Sequence, residues 1–122
     1  MEDIMDRQTL LILGAGLALI VVLRLLGRRG RATRAVIEAK IQAGAKIIDV
    51  RSPAEFALGA YPGAKNIPLD RLQSKLASLG PKGGPLVLYC ASGARSGQAS
   101  ALLKAAGFTD VTNAGPLSSM PR

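Results

Sequence analysis

Past residue 34, short runs of aliphatic residues take turns with segments of helical period. Arg34 to Gln42 carries Val36, Ile37 and Ile41 on one side, and Gly44 stops it. Lys46 to Val50 reads as a buried strand. Ser52-Pro53-Ala54-Glu55 then gives a helix start: a Ser cap, Pro in the first position and Glu at the third. That short helix ends near Leu58-Gly59, Tyr61-Pro62-Gly63 turns the chain, and Ala64 to Pro68 forms a brief strand. Leu69, Leu72, Leu76 and Leu79 predict a helix with one apolar stripe, broken by the glycines after Gly80. Leu86 to Tyr89 is the next strand. Ala99, Leu102, Leu103 and Ala106 mark another helix, which Gly107 closes. Asp110 to Asn113 is the last strand, and an irregular tail is expected from Ala114. Strands separated by helices need crossover connections. The expected class is therefore α/β, a parallel sheet with helices on both faces. Reactive loops in such sheets lie beyond the strand C-termini. Asp49-Val50-Arg51 and the segment after Tyr89 both occupy such ends.

Composition narrows the chemistry. The 122 residues suffice for one domain with a core. There is one cysteine, Cys90, and no histidine. An internal disulfide, a Cys–His pair, a Ser–His–Asp triad and a His-ligated metal are all excluded, and no metal or cofactor is expected. Any thiol chemistry must ionise the sulfur without imidazole. The net charge of +8 splits into +3 over residues 1–34 and +5 beyond. The second excess suits small anionic substrates or plain solubility. Aromatics are only 3%, and arginines gather beside an apolar segment, so no nucleic-acid partner is expected.

That apolar segment runs uncharged from Thr9 to Leu23. Fifteen residues span about 22 Å as a helix, against roughly 30 Å of bilayer hydrocarbon. Including residues 24–27, with Arg24 snorkelling, closes the gap. The expectation is a tail at 1–8, an uncleaved transmembrane helix at 9–27, a flexible basic tether at 28–33 and the main domain at 34–122. The acidic start argues against a cleaved signal peptide, and a buried core helix is the other alternative. Arginines downstream of the segment predict a single-pass protein of the cell (inner) membrane with its catalytic domain in the cytoplasm. The bilayer is then a partner, and the small residues Gly14 to Ala18 offer a surface for a second membrane helix.

Cys90 ends a strand and opens Ala91-Ser92-Gly93-Ala94-Arg95-Ser96. Small side chains let such a loop curl with its N–H groups inward, and Gly93 permits a positive φ. The helix that follows aims its free amides at the same point. Arg95 adds a cation. Together they stabilise a thiolate, an oxyanion or a terminal sulfur. The bland alternative is a buried cysteine at a strand end with Arg95 on the surface.

The segment resembles the active loop of the rhodanese domain, a sulfurtransferase family. The likeness covers most of residues 34–120. Ile48-Asp49-Val50-Arg51, with Glu55-Phe56 after it, resembles the family's early motif. Gly59 to Pro68 (GAYPGAKNIP) resembles its second, and Gly107-Phe108 with Val111 and Asn113-Ala114-Gly115 resembles its closing pattern. Tyr89 to Ala99 is similar to the small phage-shock-type rhodaneses. The resemblance implies that Cys90 attacks the outer sulfur of thiosulfate or a similar anionic donor and passes it, as a persulfide, to a thiol or other thiophilic acceptor. It implies that Arg95 closes the loop and binds the donor's anionic end, with the amides of residues 91–95 around the sulfur. Ala91, Ser92, Gly93, Ala94, Ser96 and Arg51 are the substrate-side candidates. For Asp49 and Arg51 a structural ion pair is the favoured alternative, and Glu55 is read as a cap. Three positions depart from the family pattern: Ala60 replaces a histidine, Pro116 replaces a glycine, and no aromatic follows.

Two rival functions follow from the same residues. Related folds use a thiolate loop as phosphatases or arsenate-reducing enzymes, but with five residues between Cys and Arg; here there are four. A catalytically weak rhodanese fold used for binding or regulation is the other.

Overall fold

The computed structural model describes residues 6–28 and 31–122, without the side chains of residues 24–28. The chain divides into two compact units, Met1–Gly30 and Arg31–Arg122.

The first unit contains one helix, α1 (Arg7–Arg28). Asp6 starts it: its Oδ1 accepts from the Thr9 amide and hydroxyl, both at 2.7 Å. Those bonds hold the Asp6 carboxyl below its usual range. The described apolar side chains of α1, from Leu10 to Leu23, are exposed. Among the described residues, no helix is long and apolar enough to cross a membrane. This corrects the expected transmembrane helix at 9–27, and with it the cell-membrane localisation, the bilayer partner and the membrane-helix partner. The physical reason is length. The uncharged stretch from Thr9 to Leu23 falls short of the roughly 20 apolar residues a spanning helix needs. The extension over residues 24–27 lies outside the described side chains. The expected tail at 1–5 and tether positions 29 and 30 also lie outside the described residues.

The second unit holds a four-stranded parallel sheet in the order β2-β1-β3-β4. Its strands are β1 (Lys46–Asp49), β2 (Lys65–Asn66), β3 (Leu86–Cys90) and β4 (Val111–Pro116). Register pairs Asp49 with Tyr89 and Cys90 with Pro116. Strand side chains alternate between faces, and both faces are buried. Ile48, Leu86, Leu88 and Cys90 face one cluster, closed by Leu72, Leu79, Ala99, Leu103 and Phe108. Ile47, Val87, Tyr89 and Ala114 face the other, closed by Ile37 and Met120. The α/β expectation of a parallel sheet covered on both sides is thus met.

Helix α2 (Arg34–Gln42) is capped by Thr33, whose Oγ1 accepts from the Val36 amide at 3.4 Å. Just before it, the Ala32 amide donates to Asn113 O on β4 at 2.9 Å. Residues 31–33 are therefore fastened to the sheet, where a flexible tether was expected. Helix α3 (Pro53–Leu58) begins with the capping box read from the sequence: Ser52 and Glu55 each accept from the other's amide at 3.2 Å. Helix α4 (Ala94–Ala105) begins inside the small-residue loop itself, with Gly93 as its cap.

Two further elements differ from expectation. Leu69–Leu79 winds as a 3-10 helix. The hydroxyls of Ser74 and Ser78 donate to the carbonyls three residues back, at 2.8 and 2.7 Å, in keeping with that tighter period. Leucine spacings of three and four do not separate the two windings. The last strand also runs on through Pro116, past an irregularity opposite Leu88/Tyr89. Gly115, at φ +80°, lets the chain stay paired where an irregular tail was expected.

Candidate active site

β3 delivers Cys90 to the C-terminal edge of the sheet. The residue is fully covered, yet Ala91, Ser92 and Ala94 above it are exposed. Only a thin loop separates the sulfur from solvent. Gly93, at φ +99°, turns its N–H back onto the Cys90 Sγ at 2.9 Å. An L-residue rarely adopts this conformation. The Cys90 thiol lies 3.4 Å from Ser96 Oγ, and that hydroxyl donates to Gly93 O at 3.1 Å. If the sulfur ionises, the same hydroxyl can rotate and donate to it. Burial pushes the Cys90 pKa up, but the Ser96 hydroxyl and the amides of Ser96, Gly93 and Ser92 outweigh it. The net shift is downward.

Arg95 stands in the first turn of α4 and reaches sideways to α3. Its Nη1 and Nη2 donate to the two carboxylate oxygens of Glu55 at 2.7 and 2.9 Å. The same carboxylate accepts from the Ser52 amide and hydroxyl. Chiefly through Arg95, the Glu55 carboxyl is held down at about 2. Glu55, read from the sequence as a cap alone, is thus also the anchor of Arg95. Their separation of 40 residues hides the pairing from local patterns. Beside this pair lies a groove of about 380 Å³ lined by Val50, Ser52, Pro68, Leu69, Asp70 and Arg95.

The structure brings Cys90, Gly93, Ser96 and the amides of the loop to one point, with Arg95 at its flank. Arg51 is placed elsewhere, in the buried interior at the end of β1. Its Nε and Nη2 grip Asp49 at 2.7 to 3.1 Å, and Nη2 also donates to Gly59 O at 2.7 Å. Asp49 is fully buried and Arg51 nearly so. The guanidinium lies 5.7 Å from the Tyr89 ring centre. Its hydrogen bonds to Asp49 raise the Arg51 pKa. This is the ion-pair alternative considered for Asp49 and Arg51. Asn66 Nδ2 closes the corner by donating to the carbonyls of Asp49 and Arg51 at 3.0 and 2.9 Å.

Ala60, where the family pattern has histidine, is flanked by backbone already held. Arg51 binds Gly59 O, and the Tyr61 amide donates to Tyr89 Oη at 2.9 Å. Burial, followed by the nearby Asp49 carboxylate, lifts the Tyr89 phenol to about 12 against the opposing pull of the Tyr61 amide and Arg51. Tyr89 therefore serves here as a neutral acceptor. Sequence reasoning missed it because a tyrosine in a strand carries no mark of its partner. Arg31 was also missed: it was assigned to the tether, yet its Nη2 donates to Ser92 O at 3.1 Å. Among the described residues, no cluster of His, Cys, Asp and Glu side chains is arranged to hold a metal.

Known proteins resemble the chain in sequence and in fold. The Rhodanese-like domain family matches residues 33–114. A sulfurtransferase of Allochromatium vinosum is 40% identical over 67 residues, covering 55% of this chain and 62% of that protein. The thiosulfate sulfurtransferase PspE of Escherichia coli K12 is 41% identical over 71 residues, covering 57% and 68%. The chain thus spans about two thirds of the length of these curated relatives. A solved structure described as a rhodanese with anions from E. coli superposes with a TM-score of 0.61 at 37% identity, covering 64% of this chain and 95% of that one. With a parallel sheet that ends in a cysteine loop and a family match over most of its larger unit, the chain belongs to the rhodanese-like domain family and is a transferase of that type.

Proposed function

We propose that the chain transfers sulfane sulfur from a small anionic donor, such as thiosulfate, to a thiophilic acceptor through a persulfide on Cys90. Residues 31–122 form the transferase domain. The observation that carries this is the Gly93 N–H at 2.9 Å from a fully covered Sγ whose pKa is lowered without imidazole. The step balances. The Cys90 thiolate attacks the outer sulfur of thiosulfate, the S–S bond of the donor breaks, and sulfite leaves with the electron pair. The new S–S bond holds the sulfur as an anionic persulfide. An acceptor thiolate then takes the outer sulfur and returns Cys90 to the thiolate. The amides of Ser92, Gly93 and Ser96 stabilise the negative sulfur in both states.

In this reading Cys90 is the nucleophile. Ala91, Ser92, Gly93 and Ala94 form the cradle, Ser96 orients the sulfur, and Arg95, fixed by Glu55, holds the loop's flank. The name of the E. coli relative supports thiosulfate as donor, and the description of the solved structure supports anion binding. Mass spectrometry after thiosulfate treatment tests the proposal. The expected product gains one sulfur, about 32 Da, confined to Cys90. Cys90→Ser is expected to abolish both adduct and turnover while keeping the fold, since the two side chains are similar in size. An unmodified Cys90, or turnover that survives Cys90→Ser, would refute it.

A further inference from the structure

Arg95, the cation beside the thiol in sequence, is bound by Glu55, so an incoming dianion on that flank meets a carboxylate as well. The loop has a second cation on its other flank. Arg31 rises from the segment fastened to β4 by the Ala32–Asn113 hydrogen bond. Its side chain lies over Gly115 and Gly93. A methyl group at Gly93 would stand 2.8 Å from Nη2 and 3.2 Å from Cζ, and one at Gly115 would stand 3.2 Å from Cδ. The guanidinium therefore occupies a seat that exists because both positions lack side chains. Its Nη2 donates to Ser92 O. Arg31 is exposed, and among the described residues no carboxylate pairs with it. Gly93 thus turns its amide inward to the sulfur while its Cα lies against the Arg31 guanidinium.

We propose that Arg31 receives the oxyanion end of the sulfur donor, making it the residue that selects small anionic donors over neutral ones. The assignment rests on the sulfur-transfer reading for the identity of the donor, but not for the anion preference itself. Arg31 is exposed beside Ser92 and Gly93, so the guanidinium N–H groups not spent on Ser92 O are available to an incoming anion. A donor whose sulfonate-type head binds there presents its outer sulfur toward Cys90. Gly93 and Gly115 then act through Arg31 as well as through their own backbone.

Alkylation of Cys90 by iodoacetate, an anion, and by iodoacetamide, its neutral counterpart, provides the test. Both attack the same sulfur, so the ratio of their rates on the full chain reads local charge and cancels changes in thiol ionisation or loop cover. Arg31→Gln is expected to lower the iodoacetate-to-iodoacetamide ratio about 3- to 10-fold at low salt, the effect of one unit charge across roughly 4 Å of water. It should raise the thiosulfate KM by a similar factor with kcat within about twofold. Arg31→Lys keeps the charge and should retain most of the ratio. A ratio unchanged in Arg31→Gln, with both rates moving together, would leave Arg31 only a cover of the loop and overturn the proposal. An unchanged thiosulfate KM would overturn the donor assignment. If the unaltered chain forms no persulfide, the sulfur-transfer reading fails alone, and the alkylation ratio still decides whether Arg31 recruits anions.

Discussion

At the scale of single residues, the chemistry rests on how Cys90 is ionised. Burial opposes a thiolate, and four hydrogen-bond donors favour it. The midpoint of its alkylation rate against pH is therefore expected below 9.0, the ordinary thiol value. Ser96→Ala removes the hydroxyl, the largest of the lowering influences, and should move that midpoint upward while the amides of the loop remain. A profile unchanged by Ser96→Ala would show that the amides suffice. Glu55 gives a different pH signature. Its folded pKa, about 2, is depressed from 4.5, so its contribution to stability is complete above the unfolded value. That contribution is lost as pH falls through the folded value. The stability gap between the unaltered chain and Glu55→Gln should be full near neutrality, shrink below about pH 4.5 and vanish near pH 2. Urea titrations across this range check it. Cys90, Gly93 and Ser96 were legible as a loop in the sequence, because their relation is local. The grip of Glu55 on Arg95 was not, because it joins two helices.

At the scale of elements, what matters is how strand ends become turns. The step from β3 into α4 is made at Gly93 in the left-handed region. Gly93→Ala is expected to cost about 1–2 kcal/mol in denaturant titration. It should also raise the alkylation midpoint of Cys90, because an L-residue is strained at φ +99° and relaxes by turning the amide away from the sulfur, while the exposed Arg31 guanidinium swings clear of the added methyl group. Loss of stability with no change in the midpoint would mean that the Gly93 amide does not govern ionisation. The start of α3 was readable in advance, since Ser52, Pro53 and Glu55 specify a cap within four residues. The 3-10 winding of Leu69–Leu79 and the continuation of β4 through Pro116 were not. Leucine spacings of three and four suit both windings, so the first is not written in the apolar stripe, and the second rests on hydrogen bonds offered by β3.

At the scale of the whole domain, the buried Asp49–Arg51 pair ties the end of β1 to the Gly59 turn and the Tyr89 ring. Removing one partner leaves a charge with no water around it. Arg51→Met is expected to destabilise the fold by about 3–5 kcal/mol in urea, while the Cys90 alkylation profile keeps its midpoint in the folded fraction. A profile that shifts as strongly as in Ser96→Ala would move Arg51 from the scaffold to the site. For α1, hydropathy was read as a membrane span, but its uncharged stretch is too short, and no described helix meets that requirement. What the residues determined unaided was every feature fixed by near neighbours: the alternation of strands and helices, the cap at Ser52 and the small-residue loop after Cys90. What folding alone decided was where the charges end. Arg95 meets Glu55 across 40 residues and Arg31 meets the Ser92 carbonyl across 61, because the crossovers of a parallel sheet gather distant strand ends on one edge. Backbone preference is encoded within a few positions, whereas the partner of a guanidinium is whatever the packed sheet brings within its reach.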